Sequence, residues 1–367
     1  MKFVIIGAGG MGGRWSEAVA RTSGAELAGV VDPLVGSDRA ADWIAGTKVP
    51  AMTTLEQFGT VALDAAIVTA PSPSHAAVIR TALERGLHVI VEKPFTTDLG
   101  EARALVGLAE RRKLTLMVSQ NYRFHPGFAS VRQLARGGEW GRIRSVDSAF
   151  WMDWAGKPYQ HAMHHVMALE MAIHHYDMAR GMFDAEAVAG QIREWNPEGG
   201  RYAGGAAVDV LFDMQSARGN FAFQYSGSLI APAPKLPWAG NWRFAFDRAT
   251  FAADTIDGRY GLYAARPQGY DYVGPFEDDN RLTFELELSD FIDCVGNGRE
   301  PRCAVAVLEP FRPAGGRIRL RRLRRRPDAP GDRSGRASST SSPCMKPNCG
   351  RVRRGCPRML SRAIRLE

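Results

Sequence analysis

The 367 residues are 45% hydrophobic, which is enough to bury two cores, and no segment has the roughly 20 consecutive apolar residues of a membrane-spanning helix. The net charge of +8 is uneven: residues 311–367 hold 17 Lys and Arg against 3 Asp and Glu, which leaves a net −6 on residues 1–310. This distribution excludes a nucleic-acid surface from the body of the protein. The first residues, MKFVIIGAGG, contain too short an apolar run for a secretory signal, so we expect a cytoplasmic protein.

Residues 1–120 alternate between β-rich runs and stretches with apolar residues at helical spacing. The predicted strands are Lys2–Gly7, Glu26–Asp32, Ala65–Ala70, His88–Glu92 and Thr115–Ser119, and the predicted helices are Gly12–Thr22, Ser74–Arg85 and Leu99–Arg112. This alternation predicts βαβ units and a parallel sheet with right-handed crossovers.

A glycine-rich turn joins the first predicted strand to the first helix. Its sequence, GAGGMG, is a GxGxxG, and Asp32 ends the second strand 20 residues beyond Gly12. In this context the turn predicts a dinucleotide site in a Rossmann domain over residues 1–120. The turn residues assigned to the cofactor are Gly7, Gly9, Gly10, Met11 and Gly12. Asp32 is expected to accept hydrogen bonds from ribose hydroxyls and to favour NAD, while the nearby Arg39 leaves NADP open.

Two further segments follow strands and are therefore expected at the same edge of the sheet, where such folds bind ligands. The first supplies Thr69, Pro71 and His75, although His75 is equally well explained as a first-turn helix residue. The second supplies Glu92 and Lys93. Pro94 favours an extended conformation at Lys93 and permits a cis bond, and either effect fixes the direction of the lysine.

Longer β-like runs characterise residues 121–308. They are Arg144–Trp151, Ala206–Asp213, Asn220–Ser226 and Trp242–Phe246, with helices predicted over Met167–Met182 and Phe284–Val295. This pattern predicts a second α/β domain with a mainly antiparallel sheet. After about residue 308 the periodicity ends. The Arg-rich segment 309–367 is interpreted as disordered, as a basic arm for nucleic acid or a membrane surface, or as the product of a shifted reading frame, which is favoured.

Several stretches together resemble the glucose–fructose oxidoreductase/inositol dehydrogenase (Gfo/Idh/MocA-type) family. They are VIIGAGGMGG, AAIVTAPSPSHAAVIRTALERGLHVIVEKPFT, MVSQNYRFHP, ALEMAIHHYDMARGMF and LSDFIDCVGNGREP. The resemblance implies a Rossmann domain followed by an α/β domain whose open sheet often forms a homodimer or homotetramer face. It also implies hydride transfer between a nicotinamide and a carbinol carbon of a sugar, cyclitol or related polyol.

The resemblance implies roles for residues in both halves. His174 corresponds to the histidine that binds or deprotonates the reacting hydroxyl, and Lys93 is its catalytic partner. Glu170 stands four residues earlier, where the family usually has aspartate, and is assigned to the catalytic group, either orienting His174 or contacting substrate hydroxyls. Asp177 is expected on the same helical face and is assigned to substrate binding. Asn121 and Arg123 are expected to line the substrate pocket, with an inter-domain salt bridge as the alternative for Arg123.

The sequence also admits two other interpretations of the site and its function. A metal site formed by His161, His165, Glu170 and His174 is disfavoured, because hydride transfer needs no metal and the first two histidines are expected to precede the helix. A catalytically inactive NAD(P)-binding sensor is the alternative function, motivated by Glu170 and by the loss of the helix that usually ends the family's chains.

Overall fold

Six parallel strands form the sheet that carries the glycine-rich turn. The computed structural model describes residues 1–38, 41–232, 234–276, 281–303, 306–307 and 321–322. The strands are Lys2–Ile6 (β1), Glu26–Val31 (β2), Ala51–Met52 (β3), Ala65–Val68 (β4), His88–Val91 (β5) and Leu116–Val118 (β6). Their spatial order, β3-β2-β1-β4-β5-β6, is that of a doubly wound dinucleotide-binding sheet. The predicted Rossmann architecture is confirmed, and β3 is an addition to the predicted strands.

Helices cover both faces of this sheet, which explains why its strands are continuous apolar runs. The helices are Gly10–Arg21 (α1), Asp42–Thr47 (α2), His75–Glu84 (α3) and Leu99–Arg112 (α4). Because successive side chains of a strand point to opposite faces, Val4 and Ile6 join one buried layer while Phe3 and Ile5 join the other.

The second sheet has eight strands. They are Ile143–Trp151 (β7), Ala185–Trp195 (β8), Ala207–Ser216 (β9), Gly219–Ser228 (β10), Asn241–Phe246 (β11), Thr250–Ile256 (β12), Arg259–Arg266 (β13) and Gly269–Pro275 (β14). The order is β14-β13-β12-β11-β7-β10-β9-β8, and β7 pairs with β10 in parallel while the other neighbours are antiparallel. The predicted mainly antiparallel sheet is therefore confirmed, although β8 and β12–β14 were not predicted.

Helices pack against one face of the second sheet. They are Pro126–Gly137 (α5) and Ile173–Phe183 (α7), whose buried residues share a core with that sheet. The chain also forms a short helix, Pro158–His161 (α6), and short 3-10 turns at Leu55–Phe58, Ser72–Ser74 and Asn121–Phe124. The helix predicted over Met167–Met182 begins with a π-helical turn, Ala168–Ala172, before α7. Helix α5 was not predicted, although Pro126 is its first residue and Gly138, with a φ of 73°, follows its last residue.

The helix Arg281–Asn297 (α8) returns from the second sheet to the first. Its Phe284, Leu288 and Phe291 are buried in the layer of Phe3 and Ile5. The ring centroids of Phe3 and Phe291 lie 6.2 Å apart. This helix therefore closes one face of the Rossmann sheet, and both sheets belong to one compact unit, Met1–Leu323.

A pair of two-residue strands, Ala306–Val307 (β15) and Arg321–Arg322 (β16), lies beyond α8. Apart from these strand residues, the predicted tail 309–367 lies outside the described residues, as does Arg39. Within the described ranges no helix is long and apolar enough to cross a membrane. The domain boundaries at residues 120 and 308 stay predictions.

The packing of α8 gives a test of the fold. Phe291 is fully buried, so Phe291→Ala removes a large apolar side chain and should lower the free energy of unfolding by about 3–5 kcal/mol. Leu286 lies on the same helix and is 41% exposed, so Leu286→Ala is the matched control and should cost under about 1 kcal/mol. Urea denaturation measures both, and equal losses would contradict the docking of α8 against β1.

Candidate active site

The glycine-rich turn is shaped by close backbone contacts. Gly7 has a φ of 105°, and a Cβ on it would lie 2.4 Å from the Ala70 nitrogen. A Cβ on Gly12 would lie 2.4 Å from the Gly7 carbonyl oxygen. By contrast, a Cβ on Gly9 or Gly10 would have no described atom within 4 Å. Two glycines are thus required by packing, and two face open space at the start of α1.

The start of α1 is suited to an anionic group. The helix has no acidic residue in its first turn, and its first N–H groups carry the positive end of the helix dipole. Met11 is partly buried beside the turn, and Trp43 donates a 3.0 Å hydrogen bond from its indole nitrogen to the Ala8 carbonyl oxygen. The start of α1 therefore fits a pyrophosphate held by backbone N–H groups.

Asp32 stands one residue beyond β2 and faces the turn. One carboxylate oxygen accepts from the Ala8 N–H at 2.7 Å and the other from the Leu34 N–H at 2.8 Å. A carboxylate has about four acceptor positions, so this pairing leaves capacity for two ribose hydroxyls. The geometry is compatible with the predicted role of Asp32.

Lys93 and Glu170 form an ion pair between the two sheets. The Lys93 ammonium donates at 3.0 Å to a Glu170 carboxylate oxygen and at 2.9 Å to the Glu170 main-chain oxygen. The exposed fractions of the two side chains are 16% and 4%. Lys93 follows β5 at the carboxyl edge of the sheet, whereas Glu170 lies in the π-helical turn. An ammonium has three N–H groups, so a third donor remains.

His174 lies in the first turn of α7, beside this ion pair. Its edge contacts the ring of Tyr122, with 4.8 Å between the centroids, and it is 8% exposed. Burial lowers the pKa of His174 well below its usual value, and the charge of Lys93 contributes to the shift. Within the described ranges, neither the buried His174 Nδ1 nor the buried Glu170 Oε1 has a hydrogen-bond partner. Buried polar atoms are normally paired, so two unpaired atoms at one site are an exception.

The remaining predicted substrate residues are engaged in structural contacts. Arg123 donates from Nε and Nη2 to the two Asp177 oxygens at 2.5 and 2.6 Å, and Arg180 donates to Asp177 at 2.9 Å. Asn121 is 7% exposed and donates to the Thr283 hydroxyl at 2.9 Å. Arg123 thus forms a salt bridge within the predicted domain 121–308, and Asp177 contacts arginines while Glu170 contacts Lys93.

The segment after β4 contacts both the turn and the lysine. The Thr69 hydroxyl donates to the Gly7 carbonyl oxygen at 2.5 Å, while Pro71 is exposed. His75 is 1% exposed, and its two ring nitrogens each lie 2.8 Å from a carbonyl oxygen, those of Pro94 and Ala70. Burial lowers the pKa of His75, while these carbonyls oppose the shift. The Lys93–Pro94 peptide bond is cis.

Two residues join the site that the sequence analysis did not select. Trp15 on α1 donates at 2.8 Å to Glu92, whose pKa is raised by burial. Tyr159 on α6 is partly buried, and burial together with the Glu170 charge raises its pKa to about 12. Trp15 lies one turn beyond Gly12 on the buried side of α1, and this helical spacing is a signal in the sequence that could have identified it. Nothing local in the sequence marks Tyr159.

The neighbouring histidines have other contacts. His161 Nε2 lies 2.5 Å from the Ala155 carbonyl oxygen, and His165 Nδ1 lies 2.5 Å from Glu194. His175 is fully buried between the Tyr225 hydroxyl and the Trp238 carbonyl oxygen, and burial lowers its pKa to about 4. The described part of the chain contains no group of three His, Cys, Asp or Glu side chains arranged to hold a metal ion.

Comparison with known proteins identifies the class. Residues 1–120 match the GFO_IDH_MocA oxidoreductase family, NAD-binding Rossmann fold. This match covers the Rossmann domain, and it confirms the predicted NAD cofactor. An oxidoreductase from Agrobacterium radiobacter, in complex with NAD+, L-tartaric acid and magnesium, shares the fold with a TM-score of 0.71 and 18% identity, over 83% of this chain and 90% of that one.

Two curated relatives cover different shares of the sequence. The scyllo-inositol 2-dehydrogenase (NAD(+)) of Bacillus subtilis is 24% identical over 77% of this chain and 82% of its own length. The UDP-N-acetylglucosamine 3-dehydrogenase of Acidithiobacillus ferrooxidans is 34% identical, but over only 37% of this chain and 42% of its own length. The chain thus spans less than half of the second relative.

The glycine contacts predict separable effects on cofactor binding and folding. Gly9→Ala places a methyl group in open space at the start of α1, so it should weaken NAD binding at least about tenfold by blocking the approach of the pyrophosphate, with unfolding unchanged. Gly12→Ala should instead lower the melting temperature, because its methyl group collides with Gly7. Titration calorimetry and thermal melts measure the two effects. Full NAD affinity in Gly9→Ala would contradict the assigned pyrophosphate position.

Proposed function

We propose that this protein is an NAD-dependent dehydrogenase that oxidises a secondary hydroxyl of a sugar, cyclitol or related polyol. The observation that carries the proposal is the Lys93–Glu170 pair beside His174 at the carboxyl edge of the Rossmann sheet. A fixed ammonium and a neutral imidazole supply the two groups that oxidation of an alcohol requires, one to hold the hydroxyl oxygen and one to receive its proton.

In this proposal Lys93 orients the substrate. Two of its donors are used by Glu170, and the third hydrogen-bonds the reacting hydroxyl oxygen. Because the ammonium is held by two acceptors from one residue, little reorganisation accompanies the reaction. The pair is only slightly exposed, so its charge acts on the substrate with little screening by water.

His174 receives the hydroxyl proton. Its lowered pKa keeps the imidazole neutral at pH 7, so one ring nitrogen has a free lone pair. As the O–H proton moves to His174, the C–O bond becomes a carbonyl and the carbinol hydrogen leaves with its electron pair. Bound NAD would supply the acceptor for that hydride. In the reverse direction, His174 returns the proton and Lys93 stabilises the developing alkoxide.

The relatives support a polyol substrate, since those compared act on an inositol and on a nucleotide sugar according to their names. They also favour an oxidoreductase over the inactive sensor. In this proposal three residues stabilise the surroundings of the pocket, because their polar groups already pair with one another or with Thr283: Asp177, Asn121 and Arg123. A homodimer or homotetramer stays a prediction.

Replacing Lys93 tests the proposed chemistry. With the substrate found by screening NADH formation against sugars, inositols and sugar acids, Lys93→Ala should reduce turnover at least about 100-fold while NAD still binds. Lys93→Arg keeps a cation beside the buried Glu170, so it should remain folded and yet turn over poorly, since the guanidinium fork cannot replace an ammonium. Lys113→Ala, at the exposed residue that follows α4, is the control. Near-normal turnover in both Lys93 variants would refute the proposal.

The low pKa of His174 predicts the pH dependence of turnover. A base must be unprotonated, so activity is lost as pH falls through its pKa, and a pKa lowered well below its usual value moves that loss to correspondingly lower pH. Initial rates at saturating substrate and NAD should therefore show no His-dependent decrease between about pH 8 and 6. A decrease centred near pH 6.5 that disappears in the residual activity of His174→Gln would contradict the assignment.

A further inference from the structure

His75 is buried between two segments that the proposed function assigns to different tasks. It is the first residue of α3 and is 1% exposed. Its Nδ1 lies 2.8 Å from the Pro94 carbonyl oxygen, and its Nε2 lies 2.8 Å from the Ala70 carbonyl oxygen. The side chain therefore spans the carboxyl ends of β4 and β5 without facing solvent.

The Ala70 side of this bridge belongs to the cofactor turn. Ala70 packs so closely on Gly7 that a Cβ added to Gly7 would lie 2.4 Å from the Ala70 nitrogen. The preceding residue, Thr69, donates from its hydroxyl to the Gly7 carbonyl oxygen at 2.5 Å. The position of Ala70 is thus fixed relative to the turn that holds the pyrophosphate.

The Pro94 side belongs to the catalytic lysine. Pro94 follows Lys93 directly, and the Lys93 ammonium reaches Glu170 in the other half of the molecule. Glu170 holds only the side chain of Lys93, so the position of its main chain depends on other contacts, one of which is the hydrogen bond of the Lys93 N–H to the Glu92 carboxylate. The His75 ring provides a polar contact to that main chain at the Pro94 carbonyl oxygen.

We propose that His75 is a positioning residue for Lys93. In this proposal the neutral ring carries its proton on Nδ1 and donates to the Pro94 carbonyl oxygen, while Nε2 packs against the Ala70 carbonyl oxygen. The ring thereby holds the backbone of the lysine at a fixed distance from the cofactor turn and keeps the ammonium in reach of Glu170. Effective catalysis requires reacting groups to be placed within a fraction of an ångström, so such an anchor affects rate more than cofactor affinity. The inference rests on the proposed role of Lys93.

The test measures how fast the Lys93 amine reacts with a labelling reagent, which reports how often the lysine is accessible. The Lys93 amine in the NAD-loaded protein is labelled with trace acetic anhydride, and mass spectrometry compares its rate with the exposed Lys48 and Lys113. His75→Phe removes both contacts. His75→Asn keeps a donor near the position of Nδ1, whereas His75→Gln keeps one near Nε2, so the last two form a matched pair.

Labelling of Lys93 should accelerate at least about threefold in His75→Phe and His75→Gln, because the segment opens more often, and should stay at the wild-type rate in His75→Asn. The kcat should fall about tenfold or more in the first two and recover in His75→Asn, with the KM for NAD little changed. A folded His75→Phe with wild-type labelling would overturn the proposal. If His75→Phe does not fold, equal labelling in His75→Asn and His75→Gln would overturn it.

Failure here is distinguishable from failure of the proposed function, because labelling needs no turnover. If Lys93→Ala remains active while the His75 variants free Lys93, the chemistry assigned to Lys93 is wrong and the positioning is right. The opposite result, an inactive Lys93→Ala with unchanged labelling in all His75 variants, leaves the chemistry intact and removes the role of His75.

Discussion

The hydrogen bonds from Lys93 to Glu170 are the interaction on which the proposed site depends. They join the end of a parallel strand to a π-helical turn 77 residues further along the chain. A buried ion pair contributes little net stability, since desolvation of both charges offsets their attraction. Its value here is geometric, because two acceptors of a single residue restrict the ammonium to one position. The loss of either partner would leave a buried charge unpaired.

The elements around this pair make its position reproducible. Gly7 and Gly12 allow the turn to pack on the segment after β4, and His75 connects that segment to the one that carries Lys93. On the other side, the π-helical turn shifts the hydrogen-bond register by one residue just where Glu170 presents both its side chain and its carbonyl oxygen. A regular α-helix over the same residues would aim them differently.

Local patterns in the sequence predicted the parts of the site that depend on neighbouring residues. The GxGxxG turn and Asp32 lie within one βαβ unit, and Lys93 follows a strand whose apolar run is unmistakable. Parallel strands place such residues at one edge, so their proximity followed from topology alone. The NAD-binding Rossmann fold was predictable for the same reason, and the family match confirms it.

The contacts between distant segments were not predictable. A regular period of 3.6 placed Glu170, His174 and Asp177 on one helical face, but the π-helical turn alters that spacing, and Asp177 pairs with Arg123 and Arg180. Strand β8 was missed because a register shift between Ala187 and Ala189 breaks its period-2 alternation. The pairing of Trp15 with Glu92 likewise spans 77 residues.

A double-mutant cycle on turnover tests the central claim most directly, which is that Lys93 and Glu170 act as one unit. The wild type, Lys93→Ala, Glu170→Gln and the double variant are compared at saturating NAD, with binding of NAD as the control for folding. If the two residues act together, the double variant loses no more activity than Lys93→Ala alone, as expected for strongly coupled groups. Losses that multiply would show that the residues act independently and would contradict the account.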